Sequence, residues 1–164
     1  MRMRTNAPLS AELTEQINHI LGNLRDLTKA QCVILADASG QLISVQGQTQ
    51  EIDPVLIAVL AAADVMATTE LIRQIGGRDP GGALFRRGKR VNLYLFDVAS
   101  SFVLIIIFQT NTLAGLVHTF GKRAVNRLRP LAAEFERRIE KSATITDATF
   151  GTSLAEEMDR AFER

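Results

Sequence analysis

The sequence predicts an α/β sandwich, in which a five-stranded, mostly antiparallel sheet carries helices on both faces. Hydrophobic periodicity gives the order helix, two strands, helix, three strands, helix, followed by a C-terminal tail. The last predicted strand, 102–108, is apolar at every position. Such a pattern is typical of a central strand that is covered on both faces, so helices are needed on both sides of the sheet.

The first half of the chain contains helix and turn signals in a clear order. Ser10 is predicted to cap a first helix that extends to Lys29. Strands over 32–36 and 41–45 follow, joined by a polar turn. Asp53 before Pro54 predicts the start of the second helix, because aspartate caps well and proline suits the first helical position. We expect this helix to end near residues 75–77, where two glycines follow each other.

The second half is predicted to hold strands over 83–87, 91–98 and 102–108 and a third helix over 112–141. We interpret residues 10–141 as one domain, residues 1–9 as a flexible N-terminus and residues 142–164 as a linker with an amphipathic tail. The first and third helices are expected to cover one face of the sheet. The second helix is expected to cover the other face alone.

The second helix is the most informative segment because it has no polar face. Between Val55 and Ala67 the only polar residue is Asp64. This run is shorter than the roughly 20 apolar residues that a membrane span needs, so we predict no membrane span. One side of the helix can pack on the sheet, and the other side needs a partner chain to cover it. The pattern therefore favours an assembly or regulatory protein, most simply a homodimer.

Composition narrows the class of protein further. The chain has 19 basic and 18 acidic residues, which offers no net electrostatic attraction for nucleic acid. Residues 142–164 carry five acidic and two basic residues, a net charge of −3, so the remainder carries +4. Cys32 is the only cysteine, which excludes an intrachain disulfide and favours a reducing compartment. No apolar stretch follows the basic first residues, so we expect no secretory signal and a cytoplasmic protein.

No residue pattern predicts catalysis, a metal site or a cofactor. His19 and His118 are far apart in sequence and have no cysteine or carboxylate at ligand spacing. Gly115 to Lys122 resembles a phosphate-binding loop only superficially, because its glycines have the wrong spacing and it lies in a predicted helix. We therefore expect a protein that is not an enzyme.

Two charged segments leave alternatives open. The basic cluster Arg86, Arg87, Lys89 and Arg90 is interpreted as a solvated hairpin tip, as a contact for an acidic partner or membrane surface, or as the source of an arginine finger. In the tail, Ser153 and Glu156 match a capping box, and apolar residues recur at helical spacing. The tail is either disordered or folds onto a partner's groove.

Several strings of residues resemble the Roadblock/dynein light chain family, and most closely its bacterial MglB branch. The strings are Gly40–Ser44, Gly47–Gln50 with Ile52-Asp53, Val103–Phe108, and Asn111–Leu113 with Gly115–Val117. The resemblance covers about residues 10–141. The first two strings are specific to this branch, whereas the order of helices and strands alone is weak evidence.

The resemblance implies a cytoplasmic homodimer that binds a small Ras-like GTPase of the MglA type in cell polarity and motility. It implies that the dimer stimulates GTP hydrolysis by repositioning the GTPase's own catalytic residues, which disfavours an arginine finger. The third strands would pair, the second helices would lie side by side, and one GTPase would sit across both helices. The implied contacts are Ala62, Ala63, Met66, Ala67, Glu70 and Arg73 for the GTPase; Leu56, Val59, Leu60, Ala83, Leu84, Phe85 and Arg86 for the dimer; and Phe150, Leu154, Met158 and Phe162 for tail docking.

Two other functions stay open at this point. One is a scaffold of the same fold that binds a GTPase or motor component without activating it. The other is a small-ligand sensor, which the apolar last strand and the scarcity of clustered polar side chains disfavour.

Overall fold

The structure is a computed structural model that describes residues 9–78 and 82–162, the side chain of residue 162 excepted. The predicted order of helices and strands is confirmed. The elements are α1 (Ala11–Thr28), β1 (Cys32–Asp37), β2 (Leu42–Gly47), α2 (Pro54–Gln74), β3 (Ala83–Arg87), β4 (Val91–Val98), β5 (Phe102–Gln109) and α3 (Ala114–Phe162).

The sheet has the strand order β2-β1-β5-β4-β3, and every neighbouring pair is antiparallel. β5 is the central strand, as the sequence predicts, and residues 102–108 are all buried. β2 and β3 are the two edge strands. β3 therefore has a hydrogen-bonded neighbour on one side only.

The predicted caps fix the starts of α1 and α2. The Ser10 hydroxyl accepts a hydrogen bond from the Leu13 backbone N–H at 3.2 Å. Asp53 Oδ1 accepts hydrogen bonds from the backbone N–H groups of Val55 and Leu56, both at 3.1 Å. These contacts satisfy amide groups that have no partner within the first helical turn.

Helices cover both faces of the sheet. On one face α2 packs on alternate residues of the inner strands, among them Ile34, Leu95 and Ile105. On the other face α1 joins β2 through a hydrogen bond between Asn18 and Ser44, and α3 lies against β4 and β5 at Gly121. The predicted division, with α2 alone on its face, is confirmed.

The predicted linker at 142–150 is wrong, because α3 continues without a break to Phe162. This stretch contains three threonines, which are weak helix formers. In the structure the threonine hydroxyls donate to backbone carbonyls four residues earlier, for example Thr144 to Glu140 at 2.9 Å and Thr149 to Ile145 at 2.8 Å. These bonds satisfy the hydroxyls within the helix.

The chain divides into two compact units within α3. One unit is Ser10–Ala133, and the other contains the described α3 residues from Glu134 onward. The domain boundaries predicted from the sequence stay predictions.

Candidate interaction surface on α2 and β3

Small side chains form the contact between α2 and the sheet. Ala58, Ala61 and Ala62 are the buried residues of α2. Alanine lets the helix backbone approach closely, and the half-buried side chains of Ile57 and Val65 complete the contact with the core. Gly40, in the turn between β1 and β2, adds to the close approach, since a Cβ there would lie 3.0 Å from the Val59 Cα.

The large apolar side chains of α2 lie on its outward side. Seven such side chains of α2 and of Ile75, the residue that follows it, are exposed, with exposed fractions between 48% and 83%: Val55, Leu56, Val59, Leu60, Met66, Leu71 and Ile75. The predicted outward apolar face is therefore confirmed. A contiguous apolar surface of this kind on a small domain marks an interaction site. We call these seven residues the α2 apolar face.

The second helix is longer than the apolar run on which its predicted length was based, so its length does not exclude a membrane span. The run 55–67 is short, but α2 has 21 residues and is long and apolar enough to cross a membrane by length and composition. A buried core helix of a soluble protein can pass the same criterion. Here α2 packs on the sheet through alanines and carries Asp64, Glu70 and Arg73, which a span would have to bury.

Most of the residues predicted to contact a GTPase lie on the exposed side of α2. Ala63, Met66, Ala67, Glu70 and Arg73 are exposed or half-buried there. The placement of Ala62 on this side is wrong. Ala62 is 5% exposed and belongs to the core beneath the helix, because it lies four residues after Ala58 and thus on the same, sheet-facing side.

A charged cluster lies beside the α2 apolar face in the last turns of the helix. Arg73 donates from Nε to Glu70 Oε2 at 2.9 Å and from Nη2 to Glu70 Oε1 at 2.7 Å. Gln74 donates to the same carboxylate at 2.6 Å. The hydrogen bonds from Arg73 and then Gln74 lower the pKa of the Glu70 carboxyl below its usual value. The cluster is exposed, so it offers a partner oriented charges rather than much stability.

Two clefts flank the second half of α2. One has a volume of about 380 Å³ and includes Met66, Glu70 and Val103 in its lining; the other, of about 210 Å³, includes Ile72 and Leu84. Val65 lines both clefts. This half of the helix thus packs on the sheet less closely than the half that holds the buried alanines. The surface offered to a partner therefore has depressions on both sides of the helix.

The residues predicted for the dimer lie on α2 and on the free edge of the sheet. Leu56, Val59 and Leu60 are exposed, and Ala83 and Leu84 are half-buried. Leu84 packs against the core beneath α2. β3 pairs only with β4, so the backbone groups along its outer side have no strand partner among the described residues. Unpaired strand edges readily accept another strand.

Phe85 and Arg86 of β3 point in opposite directions. The Phe85 ring lies 4.8 Å from the Tyr94 ring and 6.3 Å from the Phe108 ring, centroid to centroid, on the face opposite α2. Its side chain is thus already packed within the chain, and its backbone is what the free edge offers. Arg86 points toward α2 and lies 3.2 Å from Asp64, measured from Nη2 to Oδ1.

The rest of the basic cluster forms an exposed hairpin tip. Arg87, Lys89 and Arg90 are exposed, and the Gly88 backbone N–H donates to Asn92 Oδ1 at 3.3 Å. This geometry agrees with the solvated-tip interpretation and leaves three cations accessible to a partner.

The other sequence-predicted features have structural roles. His19 is exposed and hydrogen-bonds Asn23 at 3.1 Å, whereas His118 packs against Tyr94 and Phe96. Gly121 lies inside α3, where a Cβ would come within 2.6 Å of the Phe96 ring. Within the described ranges no group of three or more metal-binding side chains is found.

The apolar tail residues are also accessible. Phe150, Leu154 and Met158 are exposed on α3. The side chain of Phe162, the fourth predicted docking residue, lies outside the described residues.

Sequence reasoning missed two residues of the α2 apolar face. Leu71 and Ile75 are among its most exposed members. Their signal is weak because Thr68, Thr69 and Glu70 interrupt the apolar run before them. The helical spacing of Leu71 and Ile75, four residues apart, was the available indication.

Comparison with known proteins places this fold in a family. A comparison with models of protein families gave no match, and neither did one with curated protein sequences. Among solved structures, MglB of Myxococcus xanthus is 36% identical, with a TM-score of 0.68, over 73% of this chain and 96% of that one.

Two further structures share the fold at lower identity. The gliding protein MglB of Thermus thermophilus is 24% identical with a TM-score of 0.70, over 80% of this chain and 99% of that one. A Roadblock/LC7 domain from Streptomyces avermitilis is 17% identical with a TM-score of 0.55, over 67% of this chain and 95% of that one. The identity to the Myxococcus protein over nearly its whole length carries the assignment: this chain belongs to the MglB branch of the Roadblock/dynein light chain family.

Proposed function

We propose that this protein is a cytoplasmic homodimeric regulator that binds a small Ras-like GTPase of the MglA type and stimulates its GTP hydrolysis. The observation that carries the proposal is the α2 apolar face, in which seven large side chains lie outward while alanines pack on the sheet. Family membership supplies the kind of partner.

The dimer is proposed to form through β3 and the first half of α2. The free edge of β3 accepts the same edge of a second copy, and an antiparallel pair of identical strands satisfies both edges by a twofold axis. This arrangement brings Leu56, Val59 and Leu60 of the two copies together. Burial of these side chains is favourable at roughly 25 cal/mol per Å² of apolar surface.

The GTPase is proposed to contact the second half of α2. Met66, Ala67 and Glu70 are exposed there, and clefts flank the helix on both sides. The Glu70–Arg73 pair supplies oriented charges beside the apolar contact. Mixed surfaces of this kind combine apolar burial with charge complementarity, which governs association rate and specificity.

We assign no catalytic residue to this chain. Two arginines lie at the proposed GTPase and dimer contacts, and both form ion pairs within the chain: Arg73 with Glu70, and Arg86 with Asp64. The proposed mechanism is a population shift: the dimer binds the catalytically aligned, GTP-bound conformation of the GTPase more tightly than the alternatives. The GTPase then supplies all the groups that stabilise the transition state.

The test of assembly uses a charged substitution within the apolar face. Leu60→Glu should yield monomers in size-exclusion chromatography with light scattering, because a carboxylate would be buried without a partner. Leu27→Glu is the matched control, since Leu27 is 55% exposed and lies on α1, on the opposite face of the sheet from α2. A wild-type protein that stays monomeric at high concentration would contradict the proposal.

The test of activity measures phosphate release from the GTP-loaded GTPase. The wild-type dimer should accelerate release, and Met66→Glu should remove the acceleration while the dimer persists. Leu27→Glu should behave like the wild type. Stable binding at the basal rate of hydrolysis would instead support a scaffold that does not activate.

A further inference from the structure

A polar cavity lies at the end of the sheet where α1 finishes and α3 begins. It has a volume of about 580 Å³, within the range of small-molecule sites. Two basic side chains, Arg25 and Lys29, line it together with amide groups from three separate segments, among them Gln31, Gln48 and Asn111. The proposed function does not use any of these residues.

Two of the sequence strings that carry the family resemblance meet at this cavity. Gln48 belongs to the string that begins at Gly47, and Asn111 and Thr112 begin another. The backbone of the lining is fixed by hydrogen bonds, from Gln48 N–H to Gln31 C=O at 3.0 Å and from Thr112 N–H to Gln109 C=O at 3.0 Å. The backbone that carries these side chains is therefore held in place without a ligand.

Arg25 is positioned by a close backbone approach. Gly47 has a φ of +119°, and a Cβ there would lie 3.0 Å from Arg25 Nε and 2.3 Å from the Gln31 carbonyl oxygen. Any other residue at position 47 would thus displace the arginine or the strand. The Arg25 side chain thus occupies space that is free only because position 47 has no side chain.

Arg25 lacks a protein partner. Its Nε is buried without a hydrogen bond, and none of the ion pairs among the described residues involves it. A buried donor on a charged group that lacks a hydrogen-bond partner costs free energy. The terminal amino groups of a guanidinium match the oxygens of a phosphate or carboxylate in a bidentate geometry.

The remaining lining groups favour an organic phosphate. Lys29 adds a second positive charge, which suits a phosphate group that carries between one and two negative charges near neutral pH. Asp26 offers a carboxylate, which repels a bare anion but accepts hydrogen bonds from the hydroxyl groups of a larger ligand. The volume also exceeds what a single inorganic ion fills.

We propose that this cavity binds a small phosphorylated organic molecule. Arg25 and Lys29 contact its phosphate group, whereas Asp26 and the amide side chains contact the polar groups of the rest of the ligand. The site lies apart from the α2–β3 surface and stands independently of the proposed function.

The test is calorimetric titration of the full-length protein with four probes: ribose 5-phosphate, adenosine monophosphate, inorganic phosphate and ribose. At least one of the two organic phosphates should bind saturably and more tightly than inorganic phosphate, and ribose should not bind. Arg25→Gln and Lys29→Gln should each weaken that binding about tenfold or more, as expected for the loss of a charge-assisted contact.

Lys122→Gln is the control for the loss of one positive charge, since Lys122 is exposed on α3 outside the cavity. Circular dichroism and light scattering check that each variant folds and assembles, and Lys29→Gln keeps the test valid if Arg25→Gln does not fold. Failure of both organic phosphates to bind, inorganic phosphate binding as tightly as either, or equal affinity in Lys29→Gln and Lys122→Gln would each overturn the proposal. Loss of dimerisation or of GTPase activation would not bear on it.

Discussion

Arg86 on β3 and Asp64 on α2 form an ion pair, 3.2 Å from Nη2 to Oδ1, that joins the edge strand to the helix above it. Asp64 is the one polar residue in the apolar run of α2. The ion-pair partner of Asp64 is therefore a residue of the strand and not another residue of the helix. The pair links the two elements that we propose to form the dimer surface.

This ion pair is expected to contribute little to stability. Both side chains are partly exposed, so the coupling energy from a double-mutant cycle of Asp64→Asn and Arg86→Gln should be about 0.2–1 kcal/mol. Urea unfolding at one fixed protein concentration measures it, and added salt should reduce it. A salt-independent coupling above about 2 kcal/mol would mean that the pair is desolvated.

The alanine contact between α2 and the sheet should not tolerate a larger side chain. Ala61→Leu inserts volume into a closely packed layer, which should lower the free energy of unfolding by about 1–3 kcal/mol. Ala11→Leu, at an exposed position of α1, should change it by less than about 0.5 kcal/mol. Equal effects of the two substitutions would contradict the close packing described for α2.

Two glycines in α3 should respond to alanine with opposite signs. At Gly115 nothing lies within 4 Å of the position that a Cβ would take, so Gly115→Ala should stabilise by about 0.5–1 kcal/mol through helix propensity. At Gly121 the Cβ would lie 2.5 Å from a Phe96 ring carbon, so Gly121→Ala should destabilise by about 1–3 kcal/mol. Urea denaturation compares them, and stabilisation by both would show that α3 does not pack here as described.

Alanine substitutions at Gly40 and Gly76 distinguish the cost of backbone strain from the cost of a steric contact. Both have positive φ, +89° and +77°, so alanine at either position should cost about 1–2 kcal/mol. Only Gly40 also approaches α2, where a Cβ would lie 3.0 Å from Val59 Cα. Gly40→Ala should therefore lose about 1 kcal/mol more than Gly76→Ala in thermal or urea unfolding. Equal losses would argue against close contact between the hairpin turn and the helix.

Cys32 should make stability depend on alkaline pH. Burial raises the pKa of its thiol above the ordinary value, and the positive charge of Arg25 only partly opposes this. As the pH rises above about 9, the unfolded chain releases the thiol proton and the folded chain keeps it, so the free energy of unfolding falls. Between about pH 7 and 10 the wild type should lose more stability than Cys32→Ala, which lacks this group. Parallel pH profiles of the two proteins would contradict the prediction.

Local signals in the sequence were enough to predict the helices and strands and much of the exposed surface of α2. Ser10 and Asp53 predict helix starts because their side chains satisfy amide groups in the next turn, whatever packs above. The apolar run 102–108 predicts the central strand because only a strand covered on both faces has no polar side. The same reasoning predicted that one side of α2 would stay exposed.

Tertiary structure decided which side of α2 faces out and which residues meet. Ala62 and Ala63 are equivalent by composition, and only the direction of approach to the sheet buries the first and exposes the second. Arg25, Gln48 and Asn111 are distant in sequence. They share a cavity only because the end of α1 and the ends of several strands meet at one end of the sheet. Periodicity reports how each segment is shaped, whereas contacts between segments depend on how all of them pack together.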